Sequence, residues 1–306
     1  MYRTRAASVP NRSPLFTRRR TSALLASLLM VAGCSDLTVP SDPVELEREL
    51  FKTIKLGESS RAHALLEAGA PNDARDMIGW TPLHYAVNRF HRADFKEVDV
   101  IKALIAAEGT DINSVANDGS TPISLAAKWG ATEAVNVLLA AGVEISGLDG
   151  SGSTPLINAI DARQYPMVDH LIARGADVNQ RLENGANALY YAINKRDTHS
   201  VRTLIENGSS VKGTDKSAPP IIFAAGMHNV EVVRLLVEAG ADVNAVNKKN
   251  GFTPLYQSVR SGPEMVKFLL DKGAKNGVSD NQGITPLDKA KESGDEEAIK
   301  LLSAPN

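Results

Sequence analysis

The chain is 306 residues long, with 34 basic and 36 acidic side chains and a single cysteine, which bounds it to one or two domains and excludes an internal disulfide framework. The formal charge of −2 hides an asymmetry. Arg3, Arg5, Arg12, Arg18, Arg19 and Arg20 are the only charged residues before position 34, so residues 34–306 carry 28 basic and 36 acidic groups, a net charge of −8. Affinity for nucleic acid rests on neutralising phosphates, and an acidic chain is poorly suited to that.

In chain order, a basic stretch ending in Arg18, Arg19 and Arg20 comes first, then an apolar run from about Ala23 to Ala32, then the small pair Ala32 and Gly33 before Cys34. That is the layout of an export signal. The run is about ten residues, whereas a helix that crosses a bilayer takes roughly 20, so it is too short for a permanent span. Val31-Ala32-Gly33-Cys34 resembles the lipobox of bacterial lipoproteins. The resemblance implies cleavage before Cys34, a diacylglycerol on its sulfur and acylation of the new amino group. The alternative is an ordinary signal peptide, or a buried helix, that happens to contain a cysteine.

Two or more acyl chains hold a protein firmly where one does not, so the mature chain is expected to carry a lipid anchor to a membrane. Ser35, after the cysteine, resembles the residue that permits transport onward in Gram-negative lipoproteins, and Asp36 stands one position later than a retention signal. The expected location is the periplasmic face of the outer membrane, with the inner membrane left open. The expected divisions are a cleaved signal over 1–33, a lipidated tether over 34–43 with Pro40 and Pro43, and a folded domain over 44–306.

The domain is periodic. Thr81-Pro82-Leu83, Thr121-Pro122-Ile123, Thr154-Pro155-Leu156, Asn187-Ala188-Leu189, Pro219-Pro220-Ile221, Thr253-Pro254-Leu255 and Thr285-Pro286-Leu287 follow one another at steps of 40, 33, 33, 32, 34 and 32 residues. Within 118–146, Asp118-Gly119 favours a tight turn, and Thr121 before Pro122 places a capping hydroxyl ahead of a proline at the first helical position. That helix should stop near Gly130. A second, apolar at Val135, Leu138 and Leu139, should end at Gly142 in a left-handed conformation. Neither helix can bury its stripe alone, so the units must stack.

Gly79-Trp80-Thr81-Pro82-Leu83-His84 and Arg234-Leu235-Leu236-Val237-Glu238-Ala239-Gly240-Ala241-Asp242-Val243-Asn244 resemble the ankyrin repeat. The resemblance covers about 44–302 and implies an all-α solenoid of seven to eight helix-turn-helix units, capping units included, joined by short β-turn or hairpin connections. The first unit, Val44 to about Arg75, lacks Thr-Pro-Leu, and the last is rich in charge, as ends exposed to water would be. Only His84 keeps the family's histidine, and the fifth and sixth units lack Thr-Pro, so the middle of the stack is expected to be looser or adapted for contact.

Little in the sequence points to catalysis. The histidines at 63, 84, 91, 170, 199 and 228 make no His-Glu-x-x-His, no Gly-x-Ser-x-Gly elbow occurs, and the glycine-rich stretch 147–153 lacks a phosphate-loop lysine. No metal site, no cofactor and no enzyme activity are expected, a hydrolase being the outsider.

The resemblance implies that another protein is bound along the concave face. That face comprises the turn tips, here Met77 and Ile78, the residue before each Thr-Pro, here Trp80 and Phe252, and the end of each first helix, here Asn88, Arg89, Lys128, Trp129, Asp161 and Arg260. Trp and Arg most often dominate binding energy at interfaces, which singles out Trp80 and Trp129 with Arg89 and Lys128. The long step of 40 places an insertion at 88–95, with Phe90, His91 and Arg92 in it. It is either a finger contacting an acidic or mixed partner surface or a tolerated loop. The partner, bound by a chain that is expected to be monomeric when free, is either a resident envelope protein that this chain scaffolds or protects, or a delivered toxic enzyme that it neutralises as an immunity protein; the sequence leaves both open.

Overall fold

The structure is a computed structural model that describes residues 39–89, 97–213 and 218–304. The signal region, Cys34 and residues 90–96, including Phe90, His91 and Arg92, lie outside the described residues. Sixteen α-helices form eight consecutive pairs among the described residues, with no strand between them. The pairs are α1 (Pro43–Leu56) with α2 (Ser59–Glu67), α3 (Pro82–Arg89) with α4 (Glu97–Ala106), α5 (Pro122–Trp129) with α6 (Thr132–Ala140), and α7 (Pro155–Asp161) with α8 (Tyr165–Ala173). They continue with α9 (Ala188–Asn194) and α10 (Thr198–Glu206), α11 (Pro220–Gly226) and α12 (Val230–Glu238), α13 (Pro254–Ser258) and α14 (Pro263–Asp271), and α15 (Pro286–Ser293) and α16 (Glu296–Ser303). A 3-10 turn over Val259–Ser261 extends α13.

The repeated motif sets each start. Thr121, Thr154, Thr253 and Thr285 are extended N-caps whose hydroxyls accept a backbone N–H three residues on, each followed by a proline. Asn187 supplies the same bond at α9, so the fifth unit keeps a cap without Thr-Pro. At α11 Pro219 offers no side-chain cap. In the first unit Asp42 and Pro43 fill the roles of Thr and Pro, which places Pro43 inside a helix rather than at the end of a tether.

Outside the second unit, where the residues after α3 are not described, each first helix ends at a left-handed residue. Gly57, Gly130, Gly262 and Gly294 hold that place in the first, third, seventh and eighth units, but Arg163, Arg196 and His228 hold it at φ between 53° and 59° in the fourth, fifth and sixth. A side chain there costs roughly 1 kcal/mol against glycine. The two arginines offset this by donating to Lys195 O at 2.8 Å and Met227 O at 2.6 Å, carbonyls at the ends of α9 and α11 that lack helical partners.

The core lies between the row of first helices and the row of second helices. Leu50, Leu83, Ile123, Leu156, Leu189, Ile221 and Leu255 from the first row meet Leu65, Leu104, Leu138, Leu171, Leu204, Leu236 and Leu269 from the second in one continuous apolar cluster. Successive units are also stitched by polar bonds. Asn179 donates to Gly208 O at 3.0 Å and accepts from Ser210 N at 2.8 Å, and Asn244 does the same with Gly273 O and Lys275 N at 3.0 and 2.8 Å.

The connections between units are hydrogen-bonded turns. Asp76 N–H bonds Trp80 O, Ala116 N–H bonds Ser120 O and Asp149 N–H bonds Ser153 O, each at 2.9–3.0 Å. Neighbouring tips join through Asn117 N to Ile78 O, Gly150 N to Gly119 O and Asn281 N to Asn250 O.

Candidate functional site

The first helices and the turn tips together form an inner face that the second helices do not cover. At its N-terminal end the second unit builds an aromatic cluster. Trp80 stacks on His84 at 6.0 Å and meets the Tyr85 ring edge-on at 5.0 Å, Phe51 of α1 closes on Tyr85 at 5.9 Å, and Lys55 Nζ lies 4.2 Å from the Tyr85 ring centre. Trp80 is half-buried here, its Nε1 buried and without a hydrogen-bond partner among the described residues.

Asp76 organises this tip. It accepts from Ile78 N at 3.0 Å, Trp80 N at 2.9 Å and Tyr85 Oη at 2.5 Å. Burial pushes its carboxyl up, but those donors and Lys55 together hold it below the ordinary carboxylate value. Burial, and then the bond to Asp76, push the Tyr85 hydroxyl up to about 12. This is therefore a structural network of an anion and a neutral phenol.

His84 is fully buried; its Nδ1 meets Thr81 N at 3.2 Å and Thr81 Oγ1 at 2.9 Å, and its Nε2 meets Ser120 O at 3.2 Å. Burial lowers its pKa, an effect only partly opposed by the Ser120 carbonyl. The neutral ring is the folded form. Below the unfolded histidine value of about 6.5, the unfolded chain binds a proton that the native chain refuses, so stability present above that value is lost as pH falls. Between pH 7.5 and 5.5 the wild type is expected to lose more stability than His84→Ser, up to the ceiling of about 1.4 kcal/mol that one proton can contribute over one pH unit, serine being the residue that the next unit carries at the equivalent position, Ser124. Urea midpoints at both pH values check this, and parallel losses would refute it.

Of the residues singled out from sequence, Met77 and Ile78 stand 97% and 51% exposed at the second tip. Asn88 and Arg89 are half-buried. Arg89 donates to Lys55 O at 2.6 Å, so its guanidinium seals the end of α1. Lys128 and Trp129 are exposed side by side at the end of α5, with Nζ 5.8 Å from the indole centre. Asp161 pairs with Lys195 across two units at 2.6 Å. Phe252 is half-buried and stacked on Tyr256 at 4.5 Å, and Arg260 is exposed.

The structure adds a feature absent from the sequence reading. Two adjoining grooves of about 360 and 250 Å³ lie on the inner face over the fifth to seventh units, sharing Asn184, Ala186, Tyr190 and Phe223 in their linings. They open because Ala186 and Ala218 are small where Trp80 and Phe252 are large in equivalent places. Tyr190 and Phe223 stack at 5.5 Å along the wall, and Ile222, Asn247 and Gln257 complete one groove, Tyr191 and Asn194 the other. Tyr190 also takes over the work of His84, since it stands at the same place in its unit and its hydroxyl donates to Ala218 O, the counterpart of Ser120 O. The signal available in sequence was the aromatic run Tyr190-Tyr191 in a unit without Thr-Pro.

Among the described residues no three His, Cys, Asp or Glu side chains are grouped as metal ligands would be, and no helix is long and apolar enough to cross a membrane.

The comparisons with known proteins agree with this architecture. A family model described as Ankyrin repeats (3 copies) matches residues 90–182, 171–247 and 244–306. Neurogenic locus notch homolog protein 4 of Homo sapiens is 35% identical over 94 residues, 31% of this chain and 4% of that protein. Ankyrin repeat and SAM domain-containing protein 6 of Rattus norvegicus is 34% identical over 90 residues, 28% of this chain and 10% of that protein. The chain thus spans only a small part of the length of these relatives. Among solved structures, the human ASB11 ankyrin repeat domain superposes with a TM-score of 0.60 at 24% identity, over 74% of this chain and 98% of that one.

Proposed function

The chain belongs to the ankyrin-repeat family, and from that premise we propose that it is a protein-binding module of the bacterial cell envelope, tethered by lipid on Cys34 to the periplasmic face of the outer membrane. The stacked repeats make it an interaction module. The observation that carries the reading is the inner face itself, where exposed Lys128 and Trp129 and the Tyr190–Phe223 groove lie along first helices that no other described element covers. Such a surface is held by the core behind it and loses little freedom on binding, which favours affinity.

The tether is supported by the order basic stretch, apolar run, Ala32-Gly33-Cys34, and a lipid anchor would restrict the search for a partner to one membrane surface. The expected result has two parts. Palmitate fed to producing cells labels the wild type and not Cys34→Ala, and soluble 39–304 captures one protein from envelope extracts that the Lys128→Ala, Trp129→Ala pair does not. Absence of label sinks the anchor, and equal capture by both proteins sinks the inner face. A captured resident protein identifies a scaffold, whereas a captured toxic enzyme from a competing strain identifies immunity.

A further inference from the structure

We infer that the inner face takes an extended, acidic segment of its partner, with carboxylates along the ends of the first helices and one apolar side chain in the Tyr190–Phe223 groove. The inference rests on the binding reading above and specifies its partner. Residues 34–306 carry an excess of acid, yet the helix-end row of the third to seventh units runs the other way. Lys128, Arg163, Lys195, Arg196 and Arg260 stand there, all but Lys195 exposed.

The acids on this row cancel only Lys195, which Asp161 pairs at 2.6 Å, leaving four cations. Asp197 is buried as the cap of α10, bonded to Ser200 N at 3.2 Å and Ser200 Oγ at 2.6 Å, and Glu292, near Arg260, is bonded to Lys289 at 2.6 Å. Arg163 and Arg196 are held in place by their bonds to Lys195 O and Met227 O. A guanidinium has five donors, so each arginine presents a positioned cation with donors to spare. The partial negative ends of the short first helices weaken this field by less than a unit charge each.

The tips of the third and fourth units are anionic, whereas the seventh carries the exposed Lys248 and Lys249. Asp118 and Asp149 at the tips accept bonds from their own turns, from Ser120 N at 3.0 Å and from Ser151 N at 2.9 Å. Over the third and fourth units an acidic segment is thereby repelled from the tips and drawn to the helix ends, and at the seventh unit both edges attract it.

Spacing and groove chemistry narrow the occupant. Packed helices lie about 8–10 Å apart and an extended chain advances about 3.3 Å per residue, so about one residue in three can meet a cation, and about twelve residues cross from Lys128 to Arg260. The groove between them is uncharged: Tyr190, Ile222 and Phe223 offer apolar contact, and the amides of Asn184, Asn247 and Gln257 can both donate and accept to a peptide backbone. A lipid headgroup layer has the same charge but is flat and cannot follow a recess between tips and helix ends.

The test uses soluble 39–304 and a fluorescein-labelled peptide of about twelve residues with glutamate at every third position and a central leucine. Its glutamine and lysine counterparts and anionic phosphatidylglycerol vesicles serve as comparisons. The glutamate peptide is expected to bind about tenfold more tightly than the glutamine peptide, to weaken with salt, and to lose about tenfold with Lys128→Glu, Arg260→Glu. Ala186→Trp, which places in the groove the residue that Trp80 already is in its own unit, is expected to weaken binding severalfold, and Lys102→Glu on α4 to leave it unchanged, with circular dichroism melts verifying the fold of each.

Equal affinity for all three peptides, no response to the charge reversal or to the filled groove, or binding to vesicles alone would overturn the inference. Capture of a neutral or basic protein through the inner face would overturn it while leaving the binding reading intact.

Discussion

Leu171→Ala is expected to lower stability by about 2–5 kcal/mol. Leu171 sits in α8 with no exposed surface, in the middle of the cluster that runs through every unit. Truncation removes buried methyl groups and leaves a cavity that neighbouring leucines on rigid helices fill only partly. In a stacked array each unit is stabilised mostly through its interfaces with adjacent ones. The loss therefore falls on two interfaces, and the urea transition is expected to move to lower midpoint and to split as units on either side unfold separately. A loss below about 0.5 kcal/mol, the scatter of surface substitutions, would mean that the core is not continuous through α8.

Gly251→Ala is expected to cost about 2–3 kcal/mol, the sum of left-handed strain and a displaced backbone. Gly251 has φ of +78°, and a Cβ on it would stand 2.7 Å from Asn281 N and 2.9 Å from Asp280 C, both main-chain atoms of the following tip. The next turn would have to withdraw, stretching the Asn281 N to Asn250 O bond from 3.1 Å and the Asn281 Nδ2 to Lys249 O bond from 3.2 Å. Gly240→Ala is the matched control, since its φ of +86° is similar but nothing lies within 4 Å. It is expected to cost about 1 kcal/mol. Thermal melts of the pair separate the steric part from the conformational part, and equal losses would show that the tips are not in contact.

Much of the fold was legible because its determinants are local. Thr121-Pro122, Gly130 and Gly142 bound α5 and α6 as their cap, proline and left-handed roles require, and the apolar spacing of Val135 and Leu138 sets the buried face. Asp42-Pro43 was hidden because aspartate and threonine cap alike but do not spell alike. The left-handed Arg163, Arg196 and His228 were hidden for a different reason. For the two arginines, nothing in a residue's neighbours along the chain tells that a carbonyl of the next unit will accept its side chain, and His228 has no explanation of that kind.

The candidate site was half legible. Lys128 and Trp129 are exposed together as the helix end demands. Arg89 and Trp80, chosen by residue type, are instead tied to α1 and to the Tyr85 cluster, a matter of reach that type cannot reveal. The Tyr190–Phe223 groove is defined by what Ala186 and Ala218 lack, and missing volume has no letter in a sequence.

The polar stitches between units run both ways. Arg163, Asn179, Tyr190, Arg196 and Asn244 donate to carbonyls that lie later in the chain, while Arg89, Asn117, Gln180, Ser261 and Asn281 donate to carbonyls that lie earlier. A unit that has just been synthesised or translocated therefore finds some of its partners already made and waits for others that do not yet exist. A stack cut at either end is left with polar groups that its missing neighbour would have satisfied, so shortening it from one side or the other exposes unmatched donors or acceptors at the cut.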